Sequence, residues 1–90
     1  MHIAQSNQFK KAYKKLHANQ LPEMNNALKD IIANPDIGEK KQGDLSWLRV
    51  HKFKMLRQLT LIGYTIDNEM LTFMAIGSHE NFYRDIKRRD

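Results

Sequence analysis

Two groups of residues in this chain are of types, and at spacings, that could do chemistry. The first closes the sequence: Ile76-Gly77-Ser78-His79-Glu80-Asn81-Phe82-Tyr83-Arg84-Asp85-Ile86-Lys87-Arg88. An apolar run stops at Gly77, Ser78 is placed to cap a helix, and His79, Phe82, Tyr83 and Ile86 follow at i, i+3, i+4 and i+7, one face of a helix. An imidazole and a phenol side by side can move protons or stack on a base, and Arg84, Lys87, Arg88 and Arg89 add charge for phosphate. The same spacing equally suits a structural role, in which Phe82 and Tyr83 fasten a terminal helix to the body and the cations face solvent.

The second group lies between Leu45 and Ile66, where Arg49, His51, Lys52, Lys54 and Arg57 occur without an acid. Lys52 and Lys54, two apart on a strand, project together and could clamp a phosphate or stabilise charge developing on it. Exposed edge strands also carry lysines simply to block unwanted pairing. His51 points the other way, toward Phe53, and reads as a packed or rim histidine. Trp47, the only tryptophan, can anchor a loop into the core or stack on a base. A cationic strand with a His/Tyr pair suits cleavage of RNA without metal. A base takes the ribose 2′-hydroxyl proton, cations stabilise the strained phosphate, and an acid protonates the leaving oxygen. DNA, lacking that hydroxyl, cannot react this way. No glycine-rich phosphate loop, paired carboxylates or nucleophile elbow is found. There is no cysteine, and His2, His17, His51 and His79 lack ligand spacing, so neither a metal nor another cofactor is expected.

The elements that must position these groups follow from periodicity. Ile3 and Ala4 suggest an edge strand, and Ser6 or Asn7 caps a helix over about 8–18 with Phe9, Ala12, Tyr13 and Leu16 as its buried stripe. Lys10, Lys11, Lys14 and Lys15 form its basic face. Pro22 begins a second helix with the stripe Met24, Ala27, Leu28, Ile31 and Ile32, which must end by Asn34 because Pro35 follows. Residues 35–44 read as a polar connection without periodicity. Strands are predicted over about 48–55, 59–66 and 70–76, with Asp67-Asn68 a tight turn and the neighbourhood of Gln58 a looser one. The last two strands are apolar on both faces and therefore central. The fold class is α+β, in the order β-α-α-β-β-β-α, a helical hairpin packed on a small antiparallel sheet. Ninety residues make one domain, 1–90. A net charge of +5 and a pI near 9.6 favour anionic partners. The N-terminus lacks a signal pattern and no apolar run approaches the roughly 18 residues of a membrane span, so no membrane association and a cytoplasmic location are expected.

This order of elements and these motifs resemble the RelE/ParE superfamily of bacterial toxins from type II toxin–antitoxin systems. The resemblance covers nearly the whole chain and rests on four features. These are the basic hairpin, Gly43-Asp44-Leu45 leading into Leu48-Arg49-Val50-His51-Lys52-Phe53-Lys54, then Leu61-Ile62-Gly63-Tyr64, and the closing Ile76-Gly77-Ser78-His79-Glu80-Asn81-Phe82-Tyr83-Arg84. It implies a RelE-like fold and one of two activities. RelE-like members cut mRNA in the ribosomal A site without metal, whereas ParE-like members inhibit DNA gyrase and have no nuclease site. Lys52 and Lys54 look like the paired strand lysines of the nucleases, and His79 and Tyr83 look like their C-terminal histidine or arginine and aromatic residue. One departure stands out. Some nuclease members have an arginine in the strand leading to the tyrosine, where this chain reads Leu59-Thr60-Leu61-Ile62. Arg57, Arg49 or Arg84 would have to substitute, with Lys87 and Arg88 as further RNA contacts. The implied partners are an acidic antitoxin and the ribosome with its mRNA, or gyrase. A third reading is a module that only binds antitoxin or nucleic acid.

Overall fold

The structure is a computed structural model and describes residues 1–87. Strand β1 (His2–Gln5) leads into helix α1 (Asn7–Lys14), a 3-10 turn (Ala18–Gln20) and helix α2 (Leu21–Ala33). A second 3-10 turn (Pro35–Ile37), the short strand β2 (Glu39–Lys40) and a third 3-10 turn (Gly43–Leu45) connect to β3 (Arg49–Met55), β4 (Gln58–Asp67), β5 (Met70–Ser78) and helix α3 (Phe82–Lys87). One five-stranded sheet runs β1-β5-β4-β3-β2. The α+β architecture agrees with the sequence reading, with two additions. The sheet is mixed, because β1 pairs in parallel with β5, and β2 forms inside the stretch read as a featureless connection.

The sheet is covered on both faces. On one side the hairpin packs Phe9, Met24, Ala27 and Ile31 against Met55, Ile62, Tyr64, Leu71 and Phe73. On the other, Phe82 and Ile86 of α3 pack against Leu48, Val50, Leu61 and Ala75. Strand β4 therefore needs apolar residues on both faces. A bulge in β5 makes the two cores compatible. Gly63 pairs with Ala75 but Tyr64 pairs with Phe73, which leaves Met74 without a partner on β4. The extra residue turns Phe73 toward the hairpin and Ala75 toward α3, although they are two apart. The Met74 carbonyl accepts the Ser6 hydroxyl at 2.8 Å while Ser6 Oγ accepts the Phe9 amide at 3.1 Å, so the cap of α1 is also tied to the bulge.

Several boundaries differ from expectation. Helix α1 ends at Lys14, and Ile32 of α2 is exposed rather than buried. The β3–β4 connection at Leu56 and Arg57 is as tight as the one at Asn68 and Glu69. All four of these residues have positive φ (50°, 71°, 49° and 66°), as in two-residue turns that match strand twist. Only Asn68 is of a type that favours this region, which is why sequence suggested a looser loop at the first turn.

Candidate functional site

On β3 the alternation holds. Lys52 lies opposite Leu61 and Lys54 opposite Leu59, both lysines are exposed, and both share a face with Val50. That is the face α3 covers. Strand β2 pairs only with Arg49 and Val50, so the segment carrying the lysines has no strand beyond it among the described residues. No described acid lies within ion-pair distance of either lysine. Two exposed cations held side by side on one strand can receive one phosphate.

The terminal motif is arranged differently from the sequence expectation. Strand β5 continues to Ser78, whose hydroxyl and carbonyl both accept the Asn81 amide (3.3 and 3.2 Å), and α3 begins only at Phe82. His79 is thus in a turn and does not share a helical face with Tyr83. The helical spacing is met, but strand pairing of β5 with β4 extends through the Ser78–Thr60 pair and wins over an earlier helix start. His79 stands one residue past that pair, beside Leu59, which it meets in a surface pocket with Gln58, Ser78 and Glu80. Lys54, Leu59 and His79 therefore form one row across the sheet. Two strand spacings, about 10 Å, separate its ends.

Tyr83 is half-buried on the same face. Phe82 and Ile86, each 1 % exposed, hold α3 down, and the Tyr83 ring meets Phe82 edge-on with centroids 5.1 Å apart. Phe82 thus takes the fastening role and leaves the Tyr83 ring partly accessible. The Lys41 ammonium lies 5.3 Å from the Tyr83 ring centroid and 2.9 Å from Glu39 Oε1. Interaction with Tyr83 first, and Glu39 second, keeps Lys41 protonated above the usual lysine range. Lys41, and more weakly Lys52, hold Glu39 below the usual carboxylate range. Sequence reasoning missed Glu39 and Lys41. Their signal is the period-2 pair itself, since Glu39 opposes Val50 and so falls on the lysine face; in a two-residue strand that signal is too short to read.

The remaining candidates lie elsewhere. Arg49 opposes Tyr64 on the hairpin face, donates to the Gly38 carbonyl at 3.1 Å and faces Asp36 at 3.5 Å. It tethers the connection after α2 and does not join Lys52 and Lys54. His51 is on the hairpin face too, stacked on Phe53 with centroids 6.2 Å apart, and burial lowers its pKa despite Asp30 nearby. Trp47 packs at the edge of the α3 core, its indole N–H donating to the Asp44 carbonyl at 3.1 Å. Arg57 is exposed in the β3–β4 turn and Arg84 exposed on α3, while Lys87 ends α3. Arg88 and Arg89 lie outside the described residues. Among the described residues no three His, Cys, Asp or Glu side chains come together in a way that could hold a metal, and no helix is long and apolar enough to cross a membrane.

A family profile described as a ParE-like toxin of type II bacterial toxin–antitoxin systems matches residues 3–87. No curated protein sequence gives a significant match. Among solved structures, the fold is similar to the isolated E. coli RelE toxin, with TM-score 0.66 and 16% identity, over 97% of this chain and 96% of that one. It is also similar to a chain of the intact E. coli RelBE toxin–antitoxin complex, with TM-score 0.67 and 15% identity, over 86% and 94% of the two chains. A conserved hypothetical protein from Helicobacter pylori matches with TM-score 0.62 and 17% identity, over 89% and 96%.

Proposed function

The chain belongs to the ParE-like toxins of type II bacterial toxin–antitoxin systems, and on that premise we propose that it is an mRNA endonuclease that acts on the translating ribosome. The observation that carries this reading is the shared face. Lys52 and Lys54 project from β3 with no ion pair among the described residues, His79 closes the row of Lys54 beyond Leu59, and Tyr83 lies on α3, which covers the same face. In this reading the lysines neutralise the scissile phosphate, and His79 exchanges a proton with the ribose 2′-hydroxyl or the leaving oxygen. Tyr83 stacks on the adjoining base or orients the phosphate. Leu59-Thr60-Leu61-Ile62 in the strand where some relatives carry an arginine makes the site less charged, so a larger share of transition-state stabilisation falls to the two lysines.

The family's ParE-like description supports a second reading, inhibition of DNA gyrase. Induced expression in a bacterium separates the two. Arrested translation with new mRNA 5′ ends supports the nuclease, whereas arrested replication with broken DNA supports the gyrase reading and removes the nuclease one.

The E. coli relatives in the comparison include toxin–antitoxin complexes, and an antitoxin partner is proposed here as well. An apolar groove of about 280 Å³, lined by Ile3, Phe9, Tyr13, Leu28, Ile32 and Phe73, opens beside the exposed lysines of α1. It suits an acidic segment with apolar anchors. Co-purification with the product of the neighbouring small reading frame tests this, and no association would sink it.

A further inference from the structure

We infer that Lys41 is a positioning residue of the site, fixing the Tyr83 ring on the face that carries Lys52 and Lys54. Its backbone is anchored, since the Lys41 amide donates to the Leu48 carbonyl at 3.0 Å and Glu39, two residues earlier, pairs with Val50. The Lys41 side chain is only 20% exposed, unusual for a lysine, and its charged end meets two partners. Glu39 Oε1 lies 2.9 Å from the ammonium and neutralises it, and the ammonium stands 5.3 Å from the Tyr83 centroid, within cation–π range.

Helix α3 has six residues and is held by Phe82 and Ile86, neither of which fixes the χ1 and χ2 of the next side chain. Two contacts bracket the Tyr83 ring: the edge of Phe82 from its own helix and the ammonium of Lys41, the residue that follows β2. Glu39 also feels the charge of Lys52. A chain of charge and contact therefore runs Lys52, Glu39, Lys41, Tyr83, joining the phosphate-facing strand to the terminal helix across parts of the sequence 42 residues apart, as the numbers of Lys41 and Tyr83 give. Without Lys41 the phenol keeps its place on α3 but samples other rotamers, and a misplaced group in a site costs rate out of proportion to its displacement.

The kinetic part of this inference rests on the nuclease reading; the positional part does not. The test measures single-turnover cleavage of ribosome-bound mRNA by Lys41→Met, Lys41→Arg, Tyr83→Phe, Tyr83→Ala and Lys41→Met/Tyr83→Ala, and records the Tyr83 ring resonances in the free protein. Met keeps the apolar stem, so a folded variant is expected. Lys41→Met should slow cleavage about tenfold, and Lys41→Arg should recover most of it, because a guanidinium serves the same ring and carboxylate. The double variant should be no slower than Tyr83→Ala alone, and the Tyr83 ring resonances should shift in Lys41→Met and return toward their wild-type positions in Lys41→Arg. Multiplicative losses in the double variant, or Tyr83 resonances unmoved by Lys41→Met, overturn the inference. A wild-type chain that does not cleave removes the nuclease reading, and the ring resonances alone then decide the positional claim.

Discussion

The Phe82 ring rests on the bare Cα of Gly63. A Cβ at Gly63 would come within 2.7 Å of Phe82 Cζ, closer than such atoms approach, and a tight 3.1 Å from Leu48 Cδ1. Gly77 serves the same seat, with its added Cβ 3.3 Å from Phe82 Cα. Glycine at these two points lets a six-residue helix lie directly on the sheet, and the depth of Phe82 sets where Tyr83 stands.

Gly63→Ala is accordingly expected to destabilise the fold by about 1–3 kcal/mol, the usual effect of overfilling a packed core. Urea denaturation checks the value, and Phe82→Leu in the same background should recover part of it. A Gly63→Ala protein as stable as wild type would mean that α3 lifts away freely.

Lys52→Gln/Lys54→Gln should leave stability within about 0.5 kcal/mol, because both side chains are exposed on the free edge of β3. Ribosome or RNA binding should weaken and its salt dependence flatten. Full toxicity with an unchanged salt slope would assign the lysines to protecting an open sheet edge.

His79→Ala should reduce single-turnover mRNA cleavage by about a hundred- to ten-thousandfold, the range for losing a general acid or base. Tyr83→Phe separates two roles: a similar loss assigns chemistry to the hydroxyl, whereas near-normal cleavage with Tyr83→Ala impaired assigns stacking to the ring. Folded His79→Ala and Tyr83→Ala proteins that cleave at the wild-type rate would remove both residues from the site.

His51 adds a pH dependence to stability. Burial lowers its folded pKa from the ordinary value of 6.5, so below about that pH the unfolded chain binds more protons than the native one. Stability is present above the unfolded pKa and is lost as pH falls through the folded one. Urea midpoints at pH 8 and pH 5 should differ more for wild type than for His51→Gln. Equal differences would show that His51 contributes nothing to the slope.

Much of this was legible from residue pattern. Helix stripes such as Phe9 and Met24, the alternation through Lys52 and Lys54, and the two-faced apolar strands each reflect a local period that burial enforces. What escaped depended on contacts distant in sequence. Strand β2 exists because Glu39 and Lys40 find Val50 and Arg49, and His79 stays out of α3 because Ser78 pairs with Thr60. The Gly63-Tyr64 pair in particular shows how a motif hides its reasons. Gly63 admits Phe82, while the Tyr64 hydroxyl donates to the Pro35 carbonyl at 2.6 Å and accepts the Gly38 amide at 2.9 Å. Neither role has a local sequence signature.

The parallel pairing of β1 with β5 also sets an order of events in time. His2 aligns with Met70, and Ser6 reaches Met74 across 68 residues of sequence. At about 5–20 residues per second of synthesis, the first strand made waits on the order of seconds for its partner. Sheets closed by such distant pairs are also slow to form. The groove beside β1 and the seat of α3 both wait for β5, which supplies Phe73 to the one and Ala75 to the other. Without β5 the chain therefore has neither surface, and one strand completes both faces of the sheet.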